Sequence, residues 1–119
     1  FGDPETQPIM LRMRSDLVAH CLAALGGKLD ADTALCDERR SLGVVLAAGG
    51  YPGDYAKGDV ISGLPEEEAE DIKVFHAGTK MEDDRVVTAG GRVLCVTALG
   101  RNVSEGQPIR SSLPSFARR

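Results

Sequence analysis

The sequence predicts an α+β chain, a single amphipathic helix near the start followed by short strands that Gly and Pro keep apart. Three observations carry this. Leu17, Val18, Cys21, Leu22 and Leu25 fall at helical spacing on one stripe. Short apolar runs then recur at Leu42–Ala48, Asp59–Ile61, Lys73–Ala77 and Arg92–Leu99. Between them lie turn-forming clusters: Gly49-Gly50-Tyr51-Pro52-Gly53, Gly63-Leu64-Pro65 and Gly90-Gly91. Short strands between such turns build a small sheet or barrel.

Each element has a local cause. The opening FGDPETQPIM reads as a rigid polar loop, because Gly2-Asp3-Pro4 restricts the backbone and Pro8 disfavours helical geometry at Gln7. Ser15 is the expected N-cap of the helix, and Gly26-Gly27 its terminator. The residue three after Ser15 is Val18, so no capping box forms and packing of the stripe must stabilise the helix. Lys28 to Arg40 mixes acidic and basic residues and reads as a connection that closes a first unit. The acidic run Glu66, Glu67, Glu68, Glu70 and Asp71 follows Pro65 like the charged first turn of a short helix. After Leu99 the pattern fades: Pro108 removes a donor, and the Ser, Pro and Arg mixture of 108–119 predicts a poorly ordered tail.

The totals narrow the function classes. The chain has 119 residues, 42% hydrophobic and 27% charged, room for one modest core. A formal net charge of -4 argues against nucleic-acid binding, which needs clustered Lys and Arg. Cys21, Cys36 and Cys95 are odd in number and have no metal-type spacing, which suits idle thiols in a reducing compartment. No apolar run approaches the roughly 20 residues that cross a bilayer, and no basic-then-apolar leader opens the chain. A cytoplasmic location is therefore expected, without nucleic-acid or membrane partners. The first residue is Phe1, not Met, so further polypeptide is expected upstream.

Several residues could carry chemistry, and each has a plainer reading. Asp3 and Glu5 stand two apart in a constrained loop, where both carboxylates could face an amine or a metal; turn polarity is the plain alternative. The Gly49–Tyr55 loop could approach a substrate phosphate, but it lacks the Lys and the following helix that make a phosphate loop specific. His76 lies in an apparent strand, where a hydrogen-bonded histidine is commoner than a catalytic base. Lys80 and Arg92 could meet an anionic substrate, against ordinary solvated charge. His20 and Cys21 are adjacent on the helix, so they point about 100° apart and form no nucleophilic pair.

Three segments together resemble the phosphoribosylamine-glycine ligase family: FGDPETQPIMLRMRSDLV, SLGVVLAAGGYPGDYAKGDVISGLP, and KVFHAGTK with GGRVLCVTALG. Their order is similar to the last part of that enzyme. The resemblance implies that residues 1–40 close an ATP-grasp domain and that 41–107 belong to a β-rich, barrel-sandwich-like C-terminal domain, incomplete here, with 108–119 divergent. It implies a ligase of purine biosynthesis that joins glycine to 5-phosphoribosylamine at the expense of ATP, with Mg²⁺ or Mn²⁺ on the phosphates. The family's metal-binding pair and nucleotide loops lie upstream of Phe1, so no metal ligand, catalytic residue or cofactor is expected on this chain alone. Asp3 and Glu5, directly after that pair, become the candidate substrate-binding residues, with Gln7 behind them. The family pattern continues for several dozen residues beyond the position of Leu99, whereas this chain departs from it near Gln107. A catalytic fragment, inactive without its upstream portion, is thus one reading; a non-catalytic β-rich binding module is the other.

Overall fold

A computed structural model describes residues 2–29, 34–67, 69–102 and 113–117. Two helices precede a pair of antiparallel sheets: α1 (Thr6–Arg12), α2 (Leu17–Leu25), β1 (Arg40–Ala47), β2 (Val60–Ser62), β3 (Ile72–His76), β4 (Thr79–Glu82), β5 (Arg85–Thr88), β6 (Arg92–Gly100) and β7 (Ser115–Ala117). One sheet runs β1-β6-β3 and the other β4-β5-β2-β7.

Strand β6 organises the first sheet. Val93 through Leu99 are all buried, because β1 and β3 flank the strand and both of its faces are covered. On one face Val96 and Ala98 pack with Leu42, Val44, Leu46, Ile72 and Val74. At its start, Val93 and Leu94 join Ala48 and Ile61 in a cluster that gathers Leu46, Val74, Val86 and Phe116 from both sheets. This apolar joint holds the two sheets together, since area removed from water is the main attractive term available.

The opposite face of the β1–β6 pair receives α1. Gly43 is the docking point: a Cβ there would stand 2.8 Å from Pro8 Cγ and 3.4 Å from both Cys95 Sγ and Thr97 Cγ2. The missing side chain is the socket for the proline ring. The sequence treats this region as a loop because Pro8 breaks helices, but Pro8 is the third residue of α1. There its absent N–H would have had no intrahelical partner anyway. Thr6 starts the turn, its N–H and Oγ1 both donating to Gly2 O at 2.7 and 2.6 Å.

The N-cap of α2 is Asp16 and not Ser15: the Asp16 carboxylate accepts from Val18 N at 2.8 Å. Ser15 Oγ instead contacts His20 Nε2 at 2.7 Å and accepts from Leu35 N at 3.0 Å, tying the connection to the helix start. Beyond Leu17, which is half-buried, the apolar stripe of α2 finds no cover among the described residues. Val18 and Leu22 are 64% exposed and Leu25 86%.

Three further features differ from the sequence reading. Strands β4 and β5 form a hairpin whose two-residue turn, Asp83-Asp84, has positive φ at both positions (49° and 57°), the backbone that matches strand twist. Within the segment expected to be poorly ordered, Ser115–Ala117 pairs with β2, with Ile61 opposite Phe116 and Ser62 Oγ 2.8 Å from Ser115 Oγ. Burial of Phe116 in the joint between the sheets accounts for that order. Residues 103–112 and 118–119 lie outside the described residues. The acidic run is no helix where it is described: Glu66, Glu67, Glu70 and Asp71 sit in bends leading into β3.

Gly43→Val should crowd Pro8 out of its socket. Urea unfolding is expected to show a loss of about 1–3 kcal/mol, the usual cost of overpacking. Unchanged stability would mean that α1 does not rest on this glycine.

Candidate functional site

Asp3 and Arg92 meet at the corner where the N-terminal segment reaches the start of β6. Arg92 Nη1 lies 3.3 Å from Asp3 Oδ2 and 3.5 Å from the Asp3 carbonyl oxygen. The other carboxylate oxygen of Asp3 accepts from Gln7 Nε2 at 3.1 Å. Asp3 is therefore held from both sides by groups 4 and 89 positions away. Glu5 is exposed at the N-cap position of α1, and its side chain makes no capping bond. Of the two candidate carboxylates, only Asp3 is built into a contact with β6. Gln7 Oε1 is buried without a hydrogen-bond partner among the described residues.

The backbone around Arg92 is fixed by close packing of glycines. Gly90 and Gly78 approach so tightly that a Cβ on Gly78 would meet Gly90 Cα at 2.8 Å and Arg92 O at 2.5 Å. Tyr51 lies against Gly91, where a Cβ would collide with its ring at 2.2 Å, and Ala48 N donates to Gly91 O at 2.8 Å. The Gly49–Tyr55 loop thus forms a wall beside this corner. Its two tyrosine rings stand edge to face at 6.2 Å, and Lys57 Nζ lies 5.9 Å from the Tyr55 ring centroid.

A β-bulge sets where Arg92 points. Leu46 pairs with Leu94 but Ala47 pairs with Arg92, so Val93 is the extra residue. Leu46 belongs to the apolar joint, and the next residue of β1, Ala47, faces the other way. As the partner of Ala47, Arg92 takes the α1 face with it. Unbroken alternation from Leu94 would have turned this cation into the core.

A second charged cluster anchors the N-terminal segment. The Asp37 carboxylate pairs with Arg14 through Nη2 and Nε, and with Arg39 through Nη2 at 2.9 Å and Nε at 3.0 Å. Arg12 Nε donates to Asp37 O at 2.9 Å, and Arg39 Nη1 reaches Asp71 Oδ1 at 2.6 Å. The guanidinium of Arg39 foremost, then its backbone N–H and Arg14, hold the Asp37 carboxyl well below the usual carboxylate range. The Cys95 thiol is pushed up by burial and by the negative charge of Asp3.

The remaining candidates are dispersed. His76 is exposed at the end of β3, with Nδ1 3.0 Å from Thr79 Oγ1. Lys80 pairs with Glu82 at 3.3 Å on the exposed hairpin. His20 engages Ser15, while Cys21 is exposed. An open cleft of about 180 Å³ lies between the 64–67 segment and β3, lined by Leu64, Glu66, Glu67, Ile72, Lys73 and His76. None of these belongs to the Asp3–Arg92 corner. Among the described residues no group of three His, Cys, Asp or Glu side chains could hold a metal ion. No described helix is long and apolar enough to cross a membrane.

The profile of the phosphoribosylglycinamide synthetase C-domain family matches residues 41–110, the β-rich part that begins with β1. The chain belongs to this family. It is 75% identical over 108 residues to the phosphoribosylamine–glycine ligase of Escherichia coli O157:H7, covering 90% of the chain and 25% of that protein. The Vibrio cholerae ligase is 67% identical over 107 residues, with the same coverage. A crystal structure of the Thermotoga maritima phosphoribosylamine–glycine ligase superposes with a TM-score of 0.79 at 33% identity, over 98% of this chain and 29% of that one. The chain spans about a quarter of the length of these ligases. The likeness extends through α1 and α2, outside the C-domain profile, so both segments are features of the longer enzymes.

Protonating Asp37 should loosen the N-terminal segment. A carboxyl with a depressed folded pKa contributes stability that is fully present above its unfolded range, near 4. That contribution is lost as pH falls below this range toward the folded value. The urea midpoint is expected to drop between pH 6 and pH 3. Asp37→Asn is expected to lower the midpoint at pH 6 and to flatten the decline. A variant with the parent's full pH dependence would assign the decline to other carboxylates.

Proposed function

We propose that this chain is the C-terminal portion of a phosphoribosylamine–glycine ligase of purine biosynthesis, inactive without its upstream portion. The observation that carries the proposal is the 75% identity to the E. coli ligase over 90% of the chain. In this reading ATP phosphorylates the glycine carboxylate, and the amine of 5-phosphoribosylamine displaces the phosphate. Glycinamide ribonucleotide, ADP and phosphate are the products. The nucleotide and its Mg²⁺ or Mn²⁺ belong to upstream polypeptide, the remainder of an ATP-grasp domain that residues 1–40 would close. Residues 41–107 would be part of a barrel-sandwich-like domain beside it, and Asp3 and Glu5 would face the substrates.

The uncovered face of α2 supports this division. Large apolar side chains at 64% exposure or more on three positions of one nine-residue helix are the mark of a surface meant for a neighbour. Because α2 lies outside the C-domain profile yet within the stretch shared with the longer ligases, the upstream three quarters of such a ligase is the natural cover. The wider alternative of an independent binding module offers no account of that conserved length of match on both sides of Ser41.

The experiment is complementation. Residues 1–108 of this chain, put in place of the matching segment of the E. coli ligase with that enzyme's own sequence kept on both sides, should form glycinamide ribonucleotide from glycine, phosphoribosylamine and ATP. The isolated chain should give no product above a buffer control. Turnover by the chain alone, or an inert chimera beside an active parental enzyme, would overturn the proposal.

A further inference from the structure

We propose that Arg92 is an anion-binding residue of the ligase site, held in place by Asp3 and presenting its remaining donors to an oxyanion carried by a substrate. The inference rests on the proposed function and deepens it. Both amine-bearing substrates of that reaction carry such a group, the carboxylate of glycine or the 5′-phosphate of phosphoribosylamine.

The geometry is that of a gripped cation with capacity to spare. Guanidinium carries five N–H donors in a planar fork suited to carboxylate and phosphate. Arg92 uses one terminal nitrogen, Nη1, for both of its contacts with Asp3. Among the described residues Nε and Nη2 have no hydrogen-bond partner, and the side chain is 39% exposed. A pair formed for stability alone would be expected to engage a carboxylate with two parallel bonds, as Arg39 does with Asp37. Asp3 instead fixes one end of the fork and leaves the other open.

The backbone repeats the same emphasis. The bulge at Val93 takes Arg92 out of the core register and onto the face that carries α1 and the 2–5 loop. Bulges are a recurrent means of re-aiming a side chain beside an active site. The Gly78–Gly90 approach and the Tyr51 ring on Gly91 then immobilise the turn that carries it. Arg92 belongs to the C-domain profile, whereas Asp3 lies outside it. The C-terminal domain would therefore reach the reaction through this side chain.

The test uses the chimera described above, with Arg92→Gln and Arg92→Lys. Loss of a charged hydrogen-bond pair predicts a roughly 10- to 100-fold rise in the KM of a single substrate for Arg92→Gln. Arg92→Lys, which keeps the charge but loses the fork, should fall between Arg92→Gln and the parent. A rise for glycine alone identifies the carboxylate as the ligand. A rise for phosphoribosylamine alone identifies the phosphate. Unfolding temperature should not change, because an exposed pair contributes little to stability. Unchanged KM for both substrates, equal rises for both, or a fall in kcat alone would overturn the inference. An unsubstituted chimera without activity would instead sink the proposed function, and this inference with it.

Discussion

The fold depends on covering both faces of β6. A nine-residue strand whose interior residues are all buried must be flanked on its edges and roofed above and below. Strands β1 and β3 satisfy its backbone, the second sheet closes over its first residues, and α1 lies on the Cys95 and Thr97 side. Thr97 shows how far this burial goes. It is fully buried, and its hydroxyl donates to Lys73 O at 3.1 Å, because an unpaired hydroxyl there would cost more than the bond contributes.

Placing α1 on that face determines where everything before β1 can go. Pro8 enters the Gly43 socket, Met13 bridges to Cys36, and Asp37 gathers Arg12, Arg14 and Arg39 at the point where the connection turns into β1. With α1 anchored at both ends, the 2–5 loop is delivered to the start of β6, and the contact between Asp3 and Arg92 follows. The helix α2 hangs beyond this anchorage with its apolar stripe outward. A segment stapled by charges and a proline to the C-terminal domain therefore presents its other side to solvent.

Much of the fold was legible in the sequence, for physical reasons that also explain the gaps. The stripe of α2 and the apolar runs of β1, β3 and β6 announce themselves because burial imposes periodicity or continuity. Helix α1 was hidden by Pro8, a helix breaker everywhere except the first turn. The β4–β5 hairpin was hidden because its turn is Asp-Asp, without the Gly that usually marks a left-handed pair. Strand β7 was hidden among Ser, Pro and Arg, and only the burial of Phe116 reveals it. At the site, Asp3 could be singled out from its constrained loop and from family resemblance. Arg92 could not be distinguished from solvated charge, since its partner is 89 positions away and its orientation depends on a one-residue offset between strands. Asp37 read as one polar residue of a connection, because the arginines that converge on it come from separate elements.

The thiols give the fold a built-in tally. Cys21 and Cys36 face solvent, while Cys95 lies beneath α1 with its ionisation suppressed by burial and by the Asp3 charge. Alkylating reagents consume thiolate, so the outer pair is open to modification and the inner sulfur is shielded for as long as the helix stays seated. The number of labels acquired by each molecule is thus a direct gauge of whether the amino-terminal segment is clasped to the sheet, and a fluorophore on Cys21 would sit on the helix whose apolar side chains face solvent.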